Sequence, residues 1–266
     1  MTLCSPTVML LAIDVGNTNI VVGVYSGETL LHHWRMKTDR ERTTDEIGMT
    51  CLQFFQSAGL EPRQVCRAIA CSVVPPLSFS VERAVQRYFG VDLAMVGPGM
   101  RTGMPILYDS PREVGADRIV NAVAAYERVR GGVVVVDFGT ATTFDCVSTA
   151  GEYLGGVIVP GLQVSLDALI QRTAKLPRVE IAWPPRVVGR NTVQSIQSGV
   201  LHGYVALVDG LLERIREELE FETDVIATGG LARTIASRSK HIREIDPLLT
   251  LEGLRILDDR TGSGKS

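Results

Sequence analysis

"MLLAIDVGNTNIVVGVY", Met9 to Tyr25, is an apolar run stopped by an acid, then a Gly, Asn and Thr turn, then a second β-branched run. "VVVVDFGTATTFDCVST", Val133 to Thr149, repeats that grammar. Apolar runs joined by a few polar residues that include glycine carry hairpin chemistry. Asp14 and Asp137 therefore each end a strand, and Ile20 to Tyr25 and Thr142 to Ser148 form the strands that return beside them. A third strand follows in each half, Thr29 to Met36 and Tyr153 to Val159.

Beyond those strands both halves turn helical. Thr43-x-x-Glu46 is a capping box that opens a helix, and Ser110-Pro111-Arg112-Glu113 reads as another, with proline at the first helical position. "RAIACSVV" (67–74) and "VDLAMVG" (91–97) read as strands flanking a helix from Leu77 to Tyr88. Asn191 caps the longest helix, along which Val193, Ile196, Val200, Tyr204, Leu207, Leu211, Ile215 and Leu219 recur every three or four residues. "DVIATGG", Asp224 to Gly230, is a strand ending in a diglycine turn. The expected architecture is α/β, with two halves, residues 1–125 and 126–266, each a mixed sheet covered by helices, and a cleft between them.

Composition narrows the function classes. With 266 residues, 45% of them hydrophobic and 21% charged, the chain is expected to be a soluble globular protein. Its 27 basic and 30 acidic residues are spread along the chain and leave a net charge of −3, so no basic field invites nucleic acid. Cys4, Cys51, Cys66, Cys71 and Cys146 include no C-x-x-C pair, which argues against a disulfide framework and a zinc knuckle and points to a reducing cytoplasm. His32, His33, His202 and His241 lack metal-ligand spacing. The apolar run Val8 to Ile13 has neither the basic flank nor the cleavage pattern of a leader, and no stretch reaches transmembrane length.

The final "TGSGKS", Thr261 to Ser266, has the letters of a phosphate-binding P-loop. That loop requires G-x-x-x-x-G-K-[ST] between a strand and a helix; here the first glycine position is Asp259 and no helix follows. The stretch reads as a flexible polar terminus. A better nucleotide site is a carboxylate at a strand end followed by Gly, Asn and Thr, which offers backbone N–H groups to an anion and an acid for a hydrated Mg²⁺. Asp14, Gly16, Asn17 and Thr18 supply that set once; Asp137, Gly139, Thr140 and Thr143 supply it again. "ATGG", Ala227 to Gly230, adds a turn where a flat ring could lie against bare backbone.

"YDSPREVGADRIVNAVAAY", Tyr108 to Tyr126, narrows the acceptor. Gly115 in a helical pattern costs about 1 kcal/mol relative to alanine, so something approaches the backbone there. Asp117 shares a stripe with Glu113 and Asn121, and Arg118 with Val114, Ala122 and Ala125, so the two do not simply neutralise each other. They are either a solvated stripe and a structural ion pair, or a proton acceptor and an anion-binding cation.

The repeated loops resemble the actin, hexokinase and Hsp70 superfamily, whose duplicated ribonuclease H-like domains clamp ATP; alone they leave kinase, phosphohydrolase and nucleotide-driven switch open. "DVGNT" (14–18), Tyr108, "GADR" (115–118), "DFGTATT" (137–143), "GGVIVPG" (155–161), "GRNTVQSIQSG" (189–199) and "ATGG" (227–230) occur in the order found in type III pantothenate kinases. That resemblance, from about Leu10 to Leu257, implies ATP-dependent phosphorylation of pantothenate, the first step of coenzyme A synthesis. It implies an ATP phosphate loop at Asp14, Val15, Gly16, Asn17, Thr18, Asn19, Ile20 and Val21, with a further ATP contact at Thr140. It makes Asp117 the proton acceptor within a substrate loop of Gly115, Ala116, Asp117 and Arg118, with Tyr108 beside it. Asp137 resembles the ligand of an activating monovalent cation, K⁺ or NH₄⁺, alongside ATP with Mg²⁺, and Thr192 resembles a pantothenate contact made across a homodimer interface. Another small-molecule kinase or phosphohydrolase is a same-class alternative. A nucleotide-binding regulator or transcription accessory factor is the alternative from a different class.

Overall fold

Strand β1, Met9–Val15, is apolar on both faces because it is the middle strand of its sheet. In this computed structural model, which describes residues 8–262, β1 pairs antiparallel with β2, Asn19–Ser26, and parallel with β4, Val65–Ser72. Edge strands β3, Thr29–Lys37, and β5, Leu93–Met95, complete the order β3-β2-β1-β4-β5. The second sheet has β6, Val133–Phe138, in the middle, antiparallel to β7, Ala141–Val147, and parallel to β9, Asp224–Thr228. With β8, Tyr153–Pro160, and β10, Glu244–Ile245, its order is β10-β9-β6-β7-β8. Strand for strand the two sheets share one topology, so the repeated strand-acid-turn grammar marks a duplication of one mixed α/β sheet.

In the first unit, alternation along β1 sends Leu11, Ile13 and Val15 into a core with Ile47, Cys51 and Phe55 of α1, Thr44–Ala58, and Leu77, Val81 and Val85 of α2, Pro75–Phe89. The Thr43 capping box forms as expected: the Glu46 N–H donates to Thr43 Oγ1 at 3.3 Å, and the Thr43 N–H donates to the Glu46 carboxylate at 2.8 Å. The second expected box does not form. Pro111–Glu113 makes only a 3-10 turn, Ser110 makes no side-chain cap bond, and α3 spans Ala116–Val129.

Helix α7, Leu249–Gly262, carries the chain back onto the first sheet. Contacts divide the described chain into one unit of 8–104, 108–124 and 249–262 and another of 105–107 and 125–248. A second half of residues 126–266 would contain α7, whereas the contacts of α7 lie in the first unit. The causes of this return are local to the first unit. Thr250 Oγ1 donates to Asn121 Oδ1 at 2.8 Å, Arg67 pairs with Asp258 at 2.6 Å, and a Cβ at Gly253 would lie 2.2 Å from the Val120 carbonyl oxygen. Thr261 and Gly262 end this helix; the rest of the "TGSGKS" reading lies outside the described residues.

In the second unit Val134, Val136 and Phe138 face α4, Leu162–Gln171, α5, Thr192–Leu219, and α6, Ala232–Ala236. Asn191 caps α5 by accepting from the Gln194 N–H at 2.9 Å. Tyr204 ties α5 to the sheet, its hydroxyl donating to Thr142 Oγ1 at 2.7 Å or the Pro160 carbonyl at 2.9 Å.

Candidate active site

Asp14 follows the β1 alternation onto the face opposite α1 and α2. Its register partner on β4 is Cys71, whose fully buried thiol donates to Asp14 Oδ1 at 3.4 Å. Burial first, and then the Asp117 carboxylate, push the Asp14 carboxyl up to about 7, while the Cys71 hydrogen bond and the Arg35 guanidinium pull it back. Burial and the same two carboxylates hold the Cys71 thiol well above its ordinary range, so it remains a donor.

The turn after Asp14 is fixed from three sides. The Gly16 N–H donates to the Asn19 carbonyl at 3.0 Å, closing the turn before β2 carries Asn19, Ile20 and Val21 away. Thr38 Oγ1 donates to the Gly16 carbonyl at 2.6 Å and the Thr38 N–H donates to the Thr18 carbonyl at 2.9 Å. Arg40 donates to Asn17 Oδ1 at 3.3 Å. Asn17 and Thr18 themselves stay exposed, which leaves their surface open to an anionic ligand.

Asp117 lies in the first turn of α3, half-buried, with Oδ1 accepting the Arg118 N–H at 2.8 Å. Burial raises its carboxyl above the ordinary range, and the Arg118 N–H and guanidinium offset part of that rise. Gly115 precedes the helix rather than lying inside it, and its carbonyl accepts from the Arg118 and Ile119 N–H groups. A Cβ there would sit 2.6 Å from Asp117 Oδ1, so the group that approaches this backbone is the Asp117 carboxylate. Glu113, in the 3-10 turn, lies outside α3 and so shares no helical stripe with Asp117. Ala116 opens α3, Arg118 is buried, and Tyr108 is half-buried in the preceding segment.

In the second unit Asp137 ends β6 as Asp14 ends β1, on the face away from α5. The Gly139 N–H donates to the Ala141 carbonyl at 3.1 Å, and Thr140, exposed, accepts the Gly161 N–H at 3.1 Å. Gly229 joins the "ATGG" turn to this loop. Its φ is +91°, and a Cβ would lie 2.5 Å from Asp137 Oδ1, so only glycine fits against the carboxylate. Thr192 lies elsewhere in this unit, at the start of α5, in an open groove of about 670 Å³ with Arg190, Ser195 and Leu169.

Three partners escaped the sequence reading because cross-strand pairing creates them: Cys71, Arg35 and Asp145. Asp145 is completely buried on β7, its carboxylate accepting from the Tyr153 hydroxyl at 2.7 Å and from Thr143 Oγ1 at 3.0 Å. Thr143 is the register partner of Asp137. An acid set between Phe144 and Cys146 in an otherwise apolar run, two residues beyond the "GTATT" turn, was the available signal.

The type III pantothenate kinase family profile matches residues 10–214. A type III pantothenate kinase of Myxococcus xanthus is 59% identical over 95% of this chain and 98% of its own length. That of Geobacter sulfurreducens is 56% identical over 95% of this chain and 99% of its own.

This chain belongs to the type III pantothenate kinase family.

Among solved structures, a conserved candidate Baf family transcriptional activator from Campylobacter jejuni superposes with a TM-score of 0.59 at 18% identity, covering 95% of this chain and 99% of that one. The ethanolamine utilization protein EutJ from Carboxydothermus hydrogenoformans superposes with a TM-score of 0.51 at 12% identity, over 94% and 89%. At such identities the likeness is one of fold. Among type III pantothenate kinases, then, this chain presents the acid-turn loop of each unit and the "GADR" segment as well-formed local structures.

Proposed function

We propose that Asp117 takes the proton from the pantothenate hydroxyl as that oxygen attacks the γ-phosphoryl of ATP. The reaction is the family's, the ATP-dependent phosphorylation of pantothenate to 4'-phosphopantothenate in coenzyme A synthesis. The observation that carries the role is the pairing of two carboxylates of one unit, Asp117 on α3 and Asp14 beside the phosphate turn, close enough that the charge of one raises the other. A half-buried carboxyl raised above its ordinary range is a better base near neutral pH than a solvated aspartate. Gly115 and Ala116 shape the substrate segment, Tyr108 flanks it, and Arg118 supplies positive charge for the transferring group.

The phosphate loop is Asp14 to Val21, with Thr140 a second ATP contact. A hydrated Mg²⁺ held mainly by the nucleotide suits this chain, because among the described residues no three His, Cys, Asp or Glu side chains form a metal cluster. Bound there, Mg²⁺ would screen the phosphate charge that Asp14 would otherwise repel. Asp137, whose carboxylate rests against bare Gly229, is a fitting oxygen donor for K⁺ or NH₄⁺.

A homodimer completing the pantothenate site through Thr192 is supported by exposed apolar side chains on the second unit, among them Val164, Val187, Val188, Val193 and Leu207. Free Cys51, Cys66, Cys71 and Cys146 are in keeping with work in the cytoplasm, and among the described residues no helix is long and apolar enough to cross a membrane. The test is an ATP-dependent assay with Mg²⁺ in K⁺ buffer, reading 4'-phosphopantothenate. No product in K⁺ or NH₄⁺ buffer would overturn the reading.

A further inference from the structure

We propose that Cys71 is a positioning residue for the phosphate loop, its thiol holding one oxygen of Asp14 so that the other is presented to the nucleotide. The inference rests on the reading of Asp14 as a phosphate-loop residue. Cys71 has no exposed surface, and the parallel register of β1 and β4 sets its Sγ 3.4 Å from Asp14 Oδ1. It lies outside the apolar cluster that packs β1 and β4 against α1 and α2, to which its neighbour Ala70 belongs. Cys51 is the contrast: it is equally hidden, but it sits on α1 within that apolar cluster.

A thiol has one hydrogen, and a carboxylate beside it can only accept. The bond therefore restricts rotation of the Asp14 carboxylate without adding a charge to a place where Asp14 and Asp117 already repel. The remaining constraints on the loop are Gly16 with Asn19, Thr38 with Gly16 and Thr18, and Arg40 with Asn17. None of those touches the Asp14 side chain, which makes the thiol a separate control on its orientation.

The experiment compares Cys71→Ala, Cys71→Val and Cys71→Ser with Cys51→Ala as the packing control, measuring kcat, KM for MgATP and KM for pantothenate, with Tm alongside. Loss of the donor should raise KM for MgATP about three- to tenfold in both the Ala and the volume-filling Val variant, leaving kcat and KM for pantothenate within about twofold. Cys71→Ser, which keeps a donor, should return KM for MgATP to within about twofold of the parent. Cys51→Ala should lower Tm without moving that KM. Calorimetric affinity for a non-hydrolysable MgATP analogue should follow the same order. An unchanged KM in Cys71→Val, or a Ser variant as impaired as Val, overturns the proposal. Asp14→Asn, measured in parallel, separates the two levels: if it too leaves MgATP binding and turnover unchanged, the reading of Asp14 falls first.

Discussion

At the scale of single residues, Asp14 is half-buried and faces the Asp117 carboxylate, and its protonation gives a pH signature. Its carboxyl is raised in the fold to about 7 from the ordinary aspartate value. Between those two values the folded protein binds more protons than the unfolded chain, so stability falls as pH rises through the window, and the cost is complete above it. Asp14→Asn should therefore stabilise the nucleotide-free, Mg²⁺-free protein by about 2 kcal/mol at pH 8, after allowance for partial exposure, with the gain vanishing near pH 4. Thermal melts of both proteins across that range check it, and a gain that grows towards acid pH would contradict the burial argument. The same substitution should weaken MgATP turnover. Asp117→Asn should keep the fold and nucleotide affinity but lower kcat by about a hundredfold or more, as expected for loss of a general base. Because burial raises Asp117, the acid limb of its pH-rate profile should lie above that of a solvated aspartate, with activity rising as pH rises through it. A limb centred at the ordinary aspartate value, or full turnover in Asp117→Asn, would remove it from the mechanism.

Elements show where local chemistry decides structure and where it does not. Thr43 and Glu46 satisfy each other as their spacing promises, whereas Ser110 and Glu113 have comparable letters and form no cap. Substituting Ser110 by alanine should thus change stability by less than about 0.5 kcal/mol, while Thr43→Ala should cost about 1 kcal/mol, a contrast that chemical denaturation resolves. Equal losses would mean that Ser110 caps after all. The middle strands β1 and β6 and the long helix α5 were legible in the sequence, because an apolar run ending in an acid and a three-to-four residue repeat are set within one segment. The acid-turn loops were legible for the same reason. What escaped lay in pairings between segments: Cys71 meets Asp14 through parallel register, and Asp145 is buried by Tyr153 eight residues away. Short α4 and the terminal α7 also escaped, α7 because its buried face matches a sheet made from the other end of the chain.

For the whole molecule, the decisive feature is that the first unit is built from both ends of the described chain. Helix α7 buries Leu249, Leu251, Leu254, Ile256 and Leu257, and Gly253 lets it lie against the α3 backbone at Val120. A methyl group at Gly253 has a carbonyl oxygen in its way, so Gly253→Ala must push α7 outward and should cost about 1–3 kcal/mol. The loss should be felt in β1 and α3, and hence at Asp14 and Asp117, rather than around Asp137 in the second unit. Hydrogen exchange separates these outcomes. Amides of Met9–Val15 and Ala116–Val129 should exchange faster in the variant, while Val133–Phe138 keeps its protection. If protection were lost first in β6 and β9, α7 would be stabilising the second unit, as a simple division of the sequence at residue 126 suggests. An alanine at Gly59, where φ is +66° and a Cβ would meet nothing within 4 Å, would strain the backbone at the end of α1 without touching α7 and serves as the control for general loss of stability.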